Sequence, residues 1–298
     1  MSTTYDAIII GGSYSGLSAA MALGRSMRKT LVIDGGKPCN APTPHSHNFI
    51  TQDGETPVAI RNKAREQVAK YDTVSFADVQ ATMVTNNGDS FTITAADGQT
   101  YTAKRLLLAT GIRDIMPNIP GFAECWGKSV IHCPYCHGYE VRGQKTAAIG
   151  NGDVGYHVGL LLTNWTKDLK VFTNGPATFS AEQLQALQNN NVPVIEKKIS
   201  ELLHEKGQVK AILFADGSEE EVSAVYNKPA FEQHSDLHAQ LGVKLNEMGY
   251  IDVDFKYKTS VPGVYAAGDN TNMMRAVASA VAAGNMAGAM INAELIFG

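Results

Sequence analysis

Two doubly wound α/β units, the second inserted into the first, are the architecture the sequence predicts. Three observations predict it. A buried strand, a glycine turn, a helix and a second strand occur twice along the chain, and each copy continues into a hairpin-like stretch with Asp-Gly at its turn. A closing block of turn, strand and small-residue helix has no counterpart in the second copy. Strand–helix alternation of this kind gives parallel sheets with helices packed on them.

The first copy opens with the apolar strand Ala7 to Ile10 and turns through Gly11-Gly12-Ser13-Tyr14-Ser15-Gly16. It runs on into a helix from Leu17 to about Ser26 and a strand from Thr30 to Ile33 that ends in Asp34. Phe91 to Thr94 and Thr100 to Lys104 flank Asp97-Gly98, a hairpin signal. The strand Leu106 to Ala109 then ends in Thr110-Gly111. The second copy starts at Thr146 to Ile149 and turns through Gly150-Asn151-Gly152-Asp153-Val154-Gly155. A helix follows, then the strand Lys170 to Phe172, a hairpin at Asp216-Gly217 and the strand Ala224 to Tyr226. The acidic run Glu219 to Glu221 beside that turn reads as a solvated face. Pro117, Pro120 and Gly121 mark the outgoing linker, and the return falls between about Gln240 and Gly249. The expected domains are therefore 1–116, an inserted 117–244, and 245–298 completing the first.

Bulk composition narrows the function classes. In 298 residues, 44% are apolar and 18% charged, enough for sizeable cores. A net charge of −4 without a Lys/Arg cluster argues against a nucleic-acid or anionic-membrane partner. The first apolar run is too short for a signal peptide, and the uncharged stretch Ala276 to Ala293, rich in Ala and Gly, reads as a tightly packed internal helix. A cytoplasmic location follows as the expectation. The cysteines are Cys39, Cys125, Cys133 and Cys136, and in such a compartment a close pair is catalytic or metal-binding rather than a structural disulfide.

The first glycine turn has the context a dinucleotide requires. Glycines let phosphates approach the N–H groups at a helix N-terminus, and an acid at the end of the next strand accepts the ribose hydroxyls. Ser13 stands at the middle glycine position, a departure partly offset by Gly12. The sharpest chemical signal is Cys133-Pro134-Tyr135-Cys136. Two intervening residues let a disulfide close and reopen at a helix start, where the thiolate is favoured. His137 and His132 flank the pair, and an imidazole there exchanges the thiol proton near neutral pH. A zinc site built from the pair, a His and Cys125 is the competing reading, but no second ligand pair stands at a clear distance. A buried, inert pair is the other. Cys39 and Cys125 read as packing residues.

With these features in order, the chain resembles the low-molecular-weight thioredoxin reductase family over essentially its whole length. The resemblance rests on the two glycine turns, Asp34, Ala109-Thr110-Gly111, the Cys-x-x-Cys after a Pro-rich linker, and Thr259 to Asp269. It implies two Rossmann-like, three-layer ββα domains, a homodimer, and FAD as cofactor. It further implies that Gly11, Gly12, Ser13, Ser15, Gly16, Asp34, His47, Asn48, Val79, Thr110, Gly111, Gly268, Asp269, Arg275 and Ala276 hold the FAD. The helix after Arg275 would point its N-terminus at the flavin pyrimidine. Cys136 would face the flavin, Cys133 would attack the substrate, and His137 would serve the pair. Gly150, Gly152, Asp153 and Val154 would form a nicotinamide pyrophosphate site.

The departures are informative. Thioredoxin reductases carry an acid after the second Cys, where this chain has His137. They also carry an Arg after the second strand of the inserted unit, where this chain reads Val171 to Pro176 with none, which leaves NADPH open. Ala276 stands where the family has Gln. The stretch Cys133 to Glu140 looks instead like that of gliotoxin-type dithiol oxidases, which close a small-molecule disulfide and pass the electrons through FAD to oxygen. The expected substrate is a small-molecule or small-protein dithiol or disulfide. The expected function is an FAD-dependent thiol–disulfide oxidoreductase of thioredoxin reductase type, with electrons passing between FAD, the Cys133–Cys136 pair and the substrate; a dithiol oxidase using oxygen with no nicotinamide cofactor, a reductase fed by another donor such as ferredoxin, and a flavin-bearing redox sensor are the alternatives. His45 and His47 sit in a loop expected near the flavin, and a proton-transfer role is the hypothesis there.

Overall fold

The computed structural model describes residues 4–298. In chain order the elements are β1 (Thr4–Ile10), α1 (Tyr14–Arg25), β2 (Thr30–Ile33), α2 (Pro57–Val68), β3 (Val74–Ala77), β4 (Ala81–Asn86), β5 (Phe91–Ala95), β6 (Thr100–Leu108) and β7 (Ile112–Ile115). They continue with α3 (Phe122–Cys125), β8 (Val130–Ile131), α4 (Pro134–His137), β9 (Thr146–Ile149), α5 (Gly152–Leu162), β10 (Leu169–Phe172), α6 (Ala181–Asn189) and β11 (Val194–Ile195). Then come β12 (Ile199–Glu205), β13 (Gln208–Phe214), β14 (Glu219–Glu221), β15 (Ala224–Asn227), β16 (Ala230–Gln233), α7 (Leu237–Gln240), β17 (Val264–Ala266) and α8 (Val277–Phe297).

The chain divides into two compact units. The first comprises residues 4–41, Asn48–Arg113 and Phe231–Gly298; the second comprises Pro42–His47 and Asp114–Ala230. The division differs from the boundaries expected at 116/117 and 244/245, and packing is the reason. Leu237 and Val243 bury against Val84, Phe91 and Ile93 of the first unit. Gln240 ties them there, its Oε1 accepting from the Val84 N–H at 2.9 Å. Residues 231–244 therefore complete the first core rather than close the second.

The first unit is built on a seven-stranded sheet, β3-β2-β1-β6-β5-β4, with β17 also on β6. The sequence suggests two separate strands at Thr100 to Lys104 and Leu106 to Ala109; the structure has one. The first half of β6 pairs antiparallel with β5 and its second half parallel with β17. One continuous strand thus joins the doubly wound layer to the hairpin layer. Alternation along β1 sends Ala7 and Ile9 into the core under α1 and α8, and Ile8 and Ile10 into the core toward β4 and β5. α8 is long and apolar enough to cross a membrane by length and composition. Its buried stripe, Ala283, Gly284, Ala287, Gly288 and Ile291, packs here on α1. A Cβ on Gly284 would lie 1.9 Å from the Ser15 carbonyl oxygen, so only glycine permits this crossing. The helix is less enclosed than expected, with Met286 and Ile296 exposed.

The second unit has a parallel sheet, β11-β10-β9-β15-β8, and an antiparallel sheet, β12-β13-β14. Phe122, Cys125 and Trp126 bury with Phe172, Leu202 and Phe214 in one core, and Ile131, Ala148, Leu162, Val171 and Tyr226 in the other. The acidic run Glu219 to Glu221, expected as a solvated face, is an edge strand whose Glu220 and Glu221 pair with Lys170 and Lys145. Charges on such an edge deter further strand pairing.

Candidate active site

In the first unit, β1 delivers the chain to Gly11 at φ +112, a region that only glycine adopts without strain. The turn is fitted closely. A Cβ on Gly16 would sit 1.8 Å from the Gly11 carbonyl oxygen, and one on Gly12 would sit 2.8 Å from the Asp34 Cβ. Asp34 therefore lies directly beside the turn, and its Oδ1 accepts from the Gly36 N–H at 3.2 Å. Ser13 is the N-cap of α1 but makes no side-chain cap, and the first turn carries no acid. The N–H end of α1 keeps its partial positive charge for another group.

The C-terminal block meets this turn. Gly268 (φ +106) is so placed that a Cβ would approach Ser15 Cβ at 3.0 Å and Ser15 Oγ at 3.3 Å. Ser15 Oγ, Asn270 Oδ1 and Gln233 Oε1 are buried and have no hydrogen-bond partner among the described residues. Asn270 Nδ2 donates to the Leu108 carbonyl at 2.8 Å and approaches Thr110 Oγ1 at 3.4 Å, beside Gly111 (φ +66). Asp269 Oδ2 lies 4.0 Å from Arg275 Nε and 3.6 Å from Cys39 Sγ. Ala276 is the N-cap of α8 and offers no side-chain cap, so this helix also ends in uncapped N–H groups. Val79 lies between β3 and β4, and the Asn48 N–H donates to Asp53 at 2.7 Å. A Cβ-free cradle with orphaned buried oxygens and two uncapped helix N-termini fits a flavin dinucleotide.

The thiol pair lies in the second unit. Cys133 is the extended N-cap of α4, with Pro134 at its first position. The Cys136 and His137 N–H groups donate back to the Cys133 carbonyl at 3.2 and 3.1 Å. The turn so formed brings the two sulfurs to 2.7 Å. Trp165 buttresses it from below: a Cβ on Gly138 would fall 2.6 Å from the indole nitrogen, and the exposed Tyr135 ring meets the indole edge-on at 5.5 Å.

Three histidines of the second unit lie near one another, the third being His137, the residue after Cys136. His45 and His47 stand 6.5 Å apart, and His47 stands edge-on to His137 at 6.2 Å, ring centre to ring centre. His47 Nε2 is 3.7 Å from Glu140. His47, expected among the flavin residues, belongs to the second unit, as the cysteine pair does. The ring nitrogens of His137 are shielded from solvent and lie near the His45 backbone. Burial pushes its pKa below the usual imidazole value, and the neighbouring His47 pushes the same way, against weaker opposition from the His45 backbone and Glu140. His137 is therefore held as a neutral base.

Cys125 is not with them. It is fully buried beside Phe122 and Trp126, and burial raises its thiol pKa. Among the described residues no group of three or more His, Cys, Asp or Glu side chains is arranged to hold a metal ion. The zinc set of Cys133, Cys136 and Cys125 is thus not assembled.

The second glycine turn has the shape of the first, but a side chain caps its helix. Asn151 caps α5, and its Oδ1 accepts from the Gly152 N–H at 2.9 Å, the Thr178 N–H at 2.8 Å and the Thr178 hydroxyl at 3.1 Å. Its Nδ2 donates to the Pro176 carbonyl at 2.8 Å. Asp153 adds a carboxylate in the first helical turn and accepts from Gln183 at 2.7 Å, while Val154 is exposed beside it. The loop after β10, where a nucleotide-binding Arg would stand, is fixed by Glu196, which accepts from the Ala177 N–H at 2.7 Å.

A parallel-sheet dinucleotide fold with a thiol pair on an inserted unit defines a disulfide oxidoreductase. A family model described as pyridine nucleotide-disulphide oxidoreductase matches residues 5–287. Thioredoxin reductase tcpT of Claviceps purpurea (strain 20.1) is 34% identical, covering 99% of this chain and 95% of its own. Thioredoxin reductase sirT of Leptosphaeria maculans is 33% identical, covering 98% and 94%. The crystal structure of an oxidoreductase from Agrobacterium tumefaciens superposes with a TM-score of 0.93 at 35% identity, covering 99% of each chain. The chain belongs to the pyridine nucleotide-disulphide oxidoreductase family. It is a thioredoxin reductase-like, flavin-dependent oxidoreductase acting on sulfur groups.

Two features of the site escape sequence reasoning. Asn151 stands before a helix in the sequence, but its partner Thr178 is not legible there. Glu140 gains meaning only from its distance to His47.

Proposed function

We propose that the chain oxidises a small dithiol to a disulfide through Cys133 and Cys136. The observation that carries this reading is the Asn151 clasp on the second glycine turn. It occupies, from within the chain, the Gly152 N–H, one of the helix donors a nicotinamide pyrophosphate would use, and so favours electrons that enter from the substrate.

The exchange begins with Cys133 and Cys136 joined. One substrate thiolate attacks Cys133 Sγ, the Cys133–Cys136 bond breaks, and a mixed disulfide forms with Cys136 as the leaving thiolate. The second substrate thiol then attacks its neighbouring sulfur, closes the substrate disulfide and releases Cys133. The substrate loses two electrons and two protons, and the enzyme dithiol gains the electron pair. FAD, held by the Gly11–Gly16 turn, Asp34 and the Gly268–Asp269 turn, would supply a two-electron acceptor for that pair, with dioxygen as the terminal oxidant. Neutral His137 takes the proton of the attacking thiol, and His47, steadied by Glu140, gives that proton a route onward. The same residues run in reverse would reduce a disulfide, and the intact glycines at 150, 152 and 155 favour that version, with NADPH as donor.

Anaerobic mixing of the flavin-loaded protein with a small vicinal dithiol, with NADPH and with NADH separates the two. Bleaching of the flavin band by the dithiol alone, with recovery on admitting air, is expected. Rapid bleaching by NADPH would sink the oxidase reading.

A further inference from the structure

Cys39, expected as a packing residue, lies in the first unit, in the segment that follows β2. Its Sγ donates to Asp269 Oδ2 at 3.6 Å, a contact between positions 230 apart in the chain. Arg275 Nε approaches the same oxygen at 4.0 Å. Both contacts fall on one carboxylate oxygen, and so restrict how that group can turn. A thiol is a weak donor, and a charged acceptor is what gives such a bond its strength.

Both partners are held in place by other bonds. Asn40 Nδ2 donates to the Tyr14 hydroxyl at 3.2 Å, and that hydroxyl donates to the Pro57 carbonyl at 3.2 Å. The residue after Cys39 is thus tied to the first residue of α1. On the other side, the Thr271 N–H and hydroxyl donate to the Gly268 carbonyl at 3.0 and 2.8 Å, closing the turn that carries Asp269.

The purpose of the arrangement follows from the oxygens beside it. Ser15 Oγ and Asn270 Oδ1 lie 3.3 and 3.8 Å from the point where a Cβ on Gly268 would stand. Ser15 is 6% exposed and Asn270 0%, and neither oxygen has a hydrogen-bond partner among the described residues. Polar atoms so buried are matched by a bound group, and a chain of hydroxyls would match both. Asp269 stands between Gly268 and Asn270, at the edge of that cradle.

We propose that Cys39 is a positioning residue for the flavin: its thiol holds the Asp269 carboxylate in the orientation that receives hydroxyl groups of the bound cofactor. The role asks for the S–H proton and for no sulfur chemistry. The inference rests on Asp269 belonging to the flavin site. It needs neither a direction of electron flow nor exchange at Cys133 and Cys136.

The test is flavin release from the holoprotein on dilution, followed by the fluorescence of freed FAD. The proteins compared are the parent, Cys39→Ala, Cys39→Ser, Asp269→Asn and the Cys39→Ala/Asp269→Asn double variant; one that purifies without flavin is read by titrating FAD back. Cys39→Ala should release flavin about tenfold faster, the low end for a hydrogen bond to a charged group. Serine keeps a donor on a shorter arm, and should bring release back toward the parent rate. Asp269→Asn should also release faster, and the alanine should add little to it, because a neutral amide gains far less from the thiol than a carboxylate does. Parent-like release from Cys39→Ala overturns the proposal. So does the same step in both backgrounds, which is what lost packing alone would give. Parent-like release from Asp269→Asn overturns it too, by removing that carboxylate from the flavin site. No dithiol enters the measurement, so failure here leaves the oxidase reading intact, and failure of a dithiol to bleach the flavin leaves the role of Cys39 intact.

Discussion

The two glycine turns of this molecule have one shape and two electrostatic states. Each follows a buried strand, opens a helix and presses its last glycine against the carbonyl of its first, with a would-be Cβ 1.8 Å from Gly11 O in one and 2.5 Å from Gly150 O in the other. At α1 no side chain caps the helix and no acid enters its first turn. At α5 Asn151 caps, Asp153 stands in the first turn, and Thr178 closes the clasp. Glycine spacing therefore reports how tightly a strand packs on a helix. Whether a phosphate is bound is reported by what the chain itself does with the helix N–H groups.

The comparison can be broken in order of expected effect. Gly16→Ala forces a methyl into the Gly11 carbonyl, and should cost about 2–4 kcal/mol of stability together with loss of bound flavin, measured by denaturant midpoint and the flavin-to-protein absorbance ratio. Asp34→Ala should leave the fold intact and weaken flavin retention about 10- to 100-fold, the worth of charge-assisted hydrogen bonds; undiminished affinity in a flavin titration would mean that the first turn does not read a ribose. Asn151→Ala should cost about 1 kcal/mol, as a lost N-cap does, with flavin content unchanged. If that variant acquires saturable NADPH binding by calorimetry while the parent has none, the clasp is what excludes the nucleotide.

The last prediction concerns the chemistry the second unit has kept. His137 titrates below its ordinary 6.5 in the folded protein, because burial disfavours its charged form. The unfolded chain therefore binds a proton at pH values where the folded one does not. Stability should fall as pH drops from about 6.5 to the depressed folded pKa, by a fraction of the slope one proton allows. Denaturant midpoints across that window should show the slope in the parent and lose it in His137→Asn.

Much of the fold was legible because its signals are local. Apolar strands before glycine turns, Asp-Gly hairpins and the Cys-Pro-Tyr-Cys stretch each need only a few neighbouring residues to be read. The places where reading failed are those where distant segments decide. Within one sheet β6 pairs antiparallel with β5 along its first half and parallel with β17 along its second, which no window over Thr100 to Leu108 reveals. Residues 231–244 join the first core because Leu237 and Val243 find Phe91 and Ile93 there. His47 meets His137 through a contact between segments 90 positions apart in the chain.

By itself, then, the sequence determined that this is a two-unit dinucleotide fold with a redox-capable cysteine pair, since strand–turn–helix geometry and thiol spacing are properties of short stretches of backbone. Only the tertiary structure decided that Asn151 caps α5 while α1 is left without a side-chain cap, and that His137 is held neutral. Each of these depends on desolvation and on charges brought close by folding, and neither quantity exists until the chain has packed.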